Sequence, residues 1–227
     1  MKLRNWLIKK GLNRHVLDYL LVRPIVSRWF LYPYATDEQR RAIVKTGDPV
    51  RYGTLGLALE QVAKDDIPGA LAECGVYIGT TSKFIHDRLP GRPFYLFDTF
   101  QGFDERDSMA ETDFRFRDTS VQLVLDHIGD TNNIYIRKGY FPETASGLEH
   151  AQFALVMIDF DKYEPTLSAL EFFYPKVSAG GFIFVHDYSS PESGWACSKA
   201  LDEFLLDKPE NPILIPDSWG TALFRKI

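Results

Sequence analysis

The sequence predicts an α/β fold, a doubly wound, mostly parallel sheet that ends in an antiparallel hairpin. Three observations predict it. From Gly69 onward, short apolar runs alternate with helix-like stretches, the pattern of a parallel sheet covered by helices. Residues 153–188, FALVMIDFDKYEPTLSALEFFYPKVSAGGFIFVHDY, hold two apolar runs around one helical segment, a β-α-β unit. The last two runs, Ile213–Ile215 and Thr221–Arg225, are joined by Pro216–Gly220 alone. That link is too short for a crossover helix, so they pair antiparallel.

Residues 1–35 read as basic helices interrupted by Pro24 and Pro33. Asp37–Val44 and Leu55–Lys64 read as short helices, with turn signals at Gly47-Asp48-Pro49 and Asp65–Gly69. Ala70–Cys74 is a strand, Thr80–Arg88 a helix, and Phe94–Phe97 a strand ending at Asp98. A polar stretch, Gln101–Asp118, precedes a helix over Thr119–Ile128 and a strand over Ile134–Arg137. Phe153–Ile158 follows as a strand, then a helix from near Pro165, a turn at Ser178–Gly181 and a strand over Phe182–Val185. A helix over about Cys197–Leu206 leads to the hairpin, making seven strands. The expected division is a helical N-terminal extension or lid, 1–65, and one α/β domain, 66–227.

Composition narrows the partners. The chain has 227 residues, 45% apolar, enough for a large core. Its net charge of −5 argues against nucleic acid as partner. Residues 1–30 carry +6, so the remainder carries −11. This basic start, interleaved with Trp6, Leu7, Ile8, Leu12, Val16, Leu17 and Leu20, suits weak contact with an acidic membrane surface. Equally, it suits an amphipathic helix packed on its own domain or in a homo-oligomer. No segment reaches the roughly 18 uninterrupted apolar residues of a membrane span, and the start lacks the form of a signal peptide. Cys74 and Cys197 form no CxxC pattern, as expected of reduced thiols in a cytoplasmic protein.

Parallel strands present their C-terminal ends, and so their ligand sites, at one edge. Phe153–Ile158 delivers Asp159 and Asp161 there, and Phe182–Val185 delivers His186 and Asp187. Three carboxylates and an imidazole at one spot suit a metal site or acid/base chemistry. The first strand runs into Glu73-Cys74-Gly75-Val76-Tyr77-Ile78-Gly79-Thr80-Thr81-Ser82, an E-x-G-x-x-x-G turn that opens a helix. It is not the dinucleotide G-x-G-x-x-G, which makes a nucleotide-dependent oxidoreductase the poorest reading. The glycines allow close backbone approach to a ligand, and Glu73 suits a cationic ligand group. Asp98, followed by Thr99, stands where an acid accepts both hydroxyls of a ribose.

The segments AECGVYIGTTS, YLFDTFQGF, FRDTS, GYFPET, the whole of 157–188 and DSWGTALFRK resemble the macrocin O-methyltransferase family over roughly residues 50–227. The sheet layout is also that of class I S-adenosylmethionine methyltransferases. The family's members are metal-dependent and methylate sugar hydroxyls on macrolide and aminocoumarin antibiotics. The resemblance implies S-adenosylmethionine as cofactor, contacted by the Glu73–Ser82 loop (Glu73, Gly75, Tyr77, Gly79, Thr80, Thr81, Ser82), by Asp98 and Thr99, and by Asp118 and Ser120. It implies a divalent metal, Mg²⁺ or Mn²⁺, on Asp159 and Asp187, with Asp159 also at the cofactor, and Asp161 as general base. Lys162 competes for that role, standing where catechol-type methyltransferases carry a catalytic lysine. One position departs, because the family has two adjacent aspartates where this chain has His186-Asp187. Imidazole suits Mn²⁺, Fe²⁺ or Zn²⁺ better than Mg²⁺. Either the metal is softer, or His186 does not ligate, or no metal binds.

Bland alternatives stand beside these roles. Asp161 and Glu164 precede Pro165 and suit capping or complementing that helix N-terminus, and Lys162 suits a solvated side chain at a helix entrance. The aromatics Tyr140, Phe141, Tyr163, Tyr188, Trp195 and Trp219 fall near strand ends, as ligand walls or as core. Residues 1–60 and Gln101–Arg117 are the expected lid and acceptor pocket. The acceptor is a small-molecule or glycan hydroxyl. A metal-free methyltransferase and a catalytically silent cofactor- or membrane-binding domain are the rival functions.

Overall fold

The computed structural model describes residues 41, 43–107 and 112–227. The basic helices expected in residues 1–35 lie outside them, as do five of the eight residues of the helix expected over Asp37–Val44, of which Arg41, Ile43 and Val44 are helical. The chain divides into two compact units, Met1–Gly53 and Thr54–Ile227.

Helix α1 spans Pro49–Lys64 and begins six residues before the expected Leu55. Asp48 explains the difference. Its Oδ1 accepts the Arg51 N–H at 3.1 Å, and Pro49 follows at the first helical position. Gly53 and Gly56 weaken the helical signal there without breaking the helix.

All seven strands belong to the second unit. They are β1 (Ala70–Cys74), β2 (Phe94–Asp98), β3 (Ile134–Lys138), β4 (Phe153–Ile158), β5 (Val177–Val185), β6 (Ile213–Ile215) and β7 (Thr221–Arg225). Their order is β3-β2-β1-β4-β5-β7-β6. The first five run parallel, while β7 pairs antiparallel with both β5 and β6. Burial follows position. Central β1 and β4 are buried at every residue, and edge β6 exposes Ile213 and Leu214. The helices are α2 (Thr80–His86), α3 (Val121–Ile128), α4 (Tyr163–Phe173) and α5 (Ala196–Leu205). Phe97, Phe141, Phe153 and Phe173 pack edge to face under β2 and β4 at centroid distances of 4.9–5.7 Å. Phe141 is thereby core rather than a ligand wall.

The expected turn at Ser178–Gly181 is instead part of β5. Phe153 pairs with Val177 and Leu155 with Phe182, so four residues of β5 bulge opposite Ala154 alone. Gly180 N–H still donates to the Lys226 carbonyl at 2.7 Å, and Lys226 N–H to Gly181 at 2.8 Å. The antiparallel partner thus keeps the bulge in the sheet, where sequence alone shows only turn-forming residues.

The chain's last residues are clasped by Glu210, whose side chain is 1% exposed. It accepts from Tyr174 Oη at 2.6 Å, Lys226 Nζ at 3.1 Å and Ile227 N at 3.1 Å. Burial works to raise this carboxyl, but the three donors outweigh it and bring it from 4.5 down to about 2. A carboxyl depressed on folding contributes stability above its unfolded value, lost as pH falls through the folded one. Glu210→Gln is therefore predicted to lower the melting temperature at pH 7 by roughly 4–8 °C, about 2 kcal/mol. The gap to wild type should close between pH 4.5 and 2. Calorimetric melts across that range test it, and a gap that persists at pH 2 would refute the assignment.

Candidate active site

The site is built at the C-terminal edge of the sheet, where β1 and β4 mark the reversal of strand order. Gly75, just past β1, has φ +86, and a Cβ there would stand 2.0 Å from the Asp159 carbonyl oxygen. Asp159 N–H in turn donates to Cys74 O at 2.7 Å. So the chain's own β4 end requires a glycine at this position. Gly79 (φ +81) likewise faces Val124 Cγ1 at 3.0 Å and precedes α2.

Asp98 closes β2 and holds the turn. Its Oδ2 accepts Val76 N at 2.7 Å and Tyr77 N at 3.0 Å, and its Oδ1 accepts Phe100 N at 2.6 Å. Thr99 Oγ1 also lies 3.5 Å from Oδ1, but its one hydrogen goes to the Gly102 carbonyl, so one of the carboxylate's about four acceptor positions is left for a hydroxyl. Glu73 is 2% exposed and accepts from Ser82 Oγ. Thr81 is buried as well, while Gly75, Tyr77, Thr80 and Thr99 keep partial exposure. Thr99 donates its hydroxyl to the Gly102 carbonyl. The Asp118-Thr119-Ser120 motif lands on the same loop. Tyr77 Oη donates to Asp118 at 3.2 Å, and Thr119 Oγ1 donates to Tyr77 O. Ser120 caps α3 by accepting Leu123 N at 3.1 Å, so α3 starts two residues after the expected Thr119.

The second cluster gathers at the ends of β4 and β5. His186 Nδ1 lies 3.0 Å from Asp159 Oδ1 and 3.2 Å from Asp187 Oδ1. Ligand atoms of these three residues all fall within 4.8 Å of one another, a group that could hold a metal ion. The fit is good: neighbouring donors on an octahedral ion with ~2.1 Å bonds are roughly 3 Å apart. Asp161 and Asp187 both take positive φ, +59, which turns the chain inward after each strand. Asp161 is 6% exposed. Burial, joined by the Asp159 charge, pushes its carboxyl above the usual carboxylate range against the opposing pull of Asp187, Arg115 and His186.

Helix α4 begins at Tyr163 after an extended Lys162 and has no side-chain cap. Asp161 and Glu164 therefore do not cap it, although Glu164 lies in its first turn, where an acid complements the helix N-terminus, and Pro165 is the third helical residue. Nor is Lys162 solvated. It is 7% exposed, with Nζ 3.0 Å from Asp113 Oδ2 and 4.0 Å from the Phe103 ring centroid. Asp113 and Arg115 were not singled out in the sequence. They join Lys162 to Asp161, since Arg115 Nη1 lies 3.9 Å from Asp161 Oδ1. Their only sequence signal is the alternation Asp113-Phe114-Arg115-Phe116-Arg117.

Strand order β3-β2-β1-β4-β5-β7-β6, a glycine turn after β1 and an acid closing β2 define a class I S-adenosylmethionine-dependent methyltransferase. Residues 34–226 match the family model described as Macrocin-O-methyltransferase (TylF), and the chain belongs to that family of O-methyltransferases. It is 27% identical to the 8-demethyl-8-(2,3-dimethoxy-alpha-L-rhamnosyl)-tetracenomycin-C 4'-O-methyltransferase of Streptomyces olivaceus, over 85% of this chain and 82% of that one. It is 26% identical to the mycinamicin III 3''-O-methyltransferase of Micromonospora griseorubida, over 68% and 67%. The fold is that of the O-methyltransferase NovP, with TM-score 0.64 at 23% identity over 78% of this chain and 80% of that one.

Proposed function

We propose that this enzyme transfers the methyl group of S-adenosylmethionine to a hydroxyl of a sugar, in a glycosylated natural product or a polysaccharide, assisted by a divalent cation. The observation that carries the reading is the convergence of Asp159, His186 and Asp187 at the ends of β4 and β5, with Asp161 beside Asp187 and Asp159 packed against Gly75. One relative is named as the 4'-O-methyltransferase of a rhamnosyl-tetracenomycin and the other as the 3''-O-methyltransferase of mycinamicin III.

Methyl transfer from a sulfonium is an in-line displacement, so the chain must align donor and acceptor and activate a weakly acidic hydroxyl. The Glu73–Ser82 loop and Asp98, Thr99, Asp118, Ser120 and Asp159 are assigned to the cofactor, Asp98 to its ribose. Asp159, His186 and Asp187 are assigned to the cation, which when bound lowers the pKa of an acceptor hydroxyl and fixes its orientation. The imidazole favours Mn²⁺ over Mg²⁺. Asp161, its carboxyl raised by burial, takes the hydroxyl proton. Lys162 is engaged by Asp113 and Phe103, which leaves Asp161 better placed as the base.

Calorimetric titration with S-adenosylmethionine, with and without Mg²⁺ or Mn²⁺, tests the reading. Cofactor binding is expected under each condition, and Mn²⁺ binding is expected to vanish in Asp187→Ala. No cofactor binding under any condition would sink it. A metal-free transfer is the second reading, favoured by one fact: His186 Nδ1 lies within hydrogen-bond distance of both carboxylates, so the cluster is self-consistent without an ion. Chelator-resistant activity retained in Asp187→Ala would select it.

Membrane contact through residues 1–30, a homo-oligomer and a helical lid over 1–65 are also proposed, on charge and apolar pattern alone, and a cytoplasmic location on the pattern of Cys74 and Cys197. No helix among the described residues is long and apolar enough to cross a membrane.

A further inference from the structure

Segment 113–119 grips both halves of the site at once. On the cofactor side, Asp118 and Thr119 bond Tyr77, and the Phe116 ring meets the Tyr77 ring edge-on at 5.0 Å. On the acid side, Asp113 is the hub. It accepts Arg115 Nε and Nη2 at 2.9 and 2.8 Å, a two-point clamp, and Lys162 Nζ at 3.0 Å. The remaining Arg115 nitrogen lies 3.4 Å from Glu192 and 3.9 Å from Asp161. Arg115 hydrogen bonding, then Lys162, holds the Asp113 carboxyl well below the usual carboxylate range. Phe103 and Phe116, packed at 5.5 Å, lie beside these charges.

Exposed ion pairs contribute little. Here the Asp113–Lys162 pair is largely buried and the Arg115 clamp on it is bidentate and partly buried, a setting where charge-assisted bonds are stronger and geometrically specific. We infer that Asp113 and Arg115 are positioning residues for the transfer. They hold Lys162 and Asp161 in place and, through contacts of 116–119 with Tyr77, tie that arrangement to occupancy of the cofactor loop. The inference rests on the cofactor and base assignments proposed above. Coupling of this kind needs an element whose arrangement both sites bias, and a seven-residue segment anchored at both ends supplies it.

Hydrogen exchange on the full chain tests it, with S-adenosylhomocysteine as probe. In wild type the probe should slow exchange in 75–82 and, at least about fivefold, in 159–164. Asp113→Asn should keep probe affinity within about threefold by calorimetry and keep protection of 75–82. It should lose protection of 159–164, and Asp113→Glu, which keeps the carboxylate, should restore it. Lys162→Met cuts a different link and should reproduce the loss if Asp113→Asn proves too unstable to measure. Undiminished protection of 159–164 in Asp113→Asn and Lys162→Met overturns the inference, because the probe would then act on Asp159 directly. Failure of the probe to bind wild type overturns the cofactor assignment and the inference together, and calorimetry alone reveals it.

Discussion

Asp161→Asn is expected to lower methyl transfer by about 10²–10⁴-fold, the usual worth of a positioned general base. The amide matches the carboxylate in size and keeps a hydrogen-bonding oxygen, but it cannot take a proton. Asp161 is buried and turned inward by its φ of +59, with Asp187, Arg115 and His186 around it. Little repacking is therefore required, and cofactor affinity should stay within about threefold. The loss should appear in kcat rather than in KM, because ground-state contacts persist. The assay is single-turnover methyl transfer to any acceptor the wild type methylates. Activity within tenfold of wild type would remove Asp161 as the base, and a larger loss in Lys162→Met would move the role to Lys162.

Gly75→Ala is expected to be the most damaging small substitution in the sheet. The added Cβ would stand 2.0 Å from the Asp159 carbonyl oxygen and 2.7 Å from its carbon, both backbone atoms of a central strand end. The residue must also hold φ +86, a conformation that costs an L side chain about 1–2 kcal/mol before any clash. Combined loss above about 4 kcal/mol is anticipated, lowering the melting temperature by roughly 10 °C or more. The displaced backbone is that of Asp159, so activity should fall with stability. Gly129→Ala is the control. Its φ is +85, yet nothing lies within 4 Å of its Cβ position, so its cost should be that of the backbone conformation alone, about 1–3 kcal/mol. Equal melting temperatures for the two variants would show that the close approach of β1 and β4 carries no energy.

Much of this site was legible in the chain. Apolar runs ending in acids mark strand termini, and the parallel sheet sends those termini to one edge. Asp98, Asp159, His186 and Asp187 were placed on that basis, and the structure does set His186 between two carboxylates. The burial of Lys162 was not legible, because its partner Asp113 lies 49 residues away in a polar stretch without periodicity. The bulge at Ser178–Gly181 was read as a turn, since local residue types report backbone freedom and not the neighbouring strand that uses it. Nor does the sequence show that Gly75 must also clear the Asp159 backbone, 84 residues on.

The sequence by itself determined the order of elements, the strand ends and the chemistry delivered there, because periodicity and strand termination are local properties of the chain. Tertiary structure decided which charges meet. It placed β7 between β5 and β6, turned Asp161 inward and set the Asp113–Arg115 clamp against Lys162. Those outcomes depend on distances between residues far apart in sequence, and no local pattern encodes such distances.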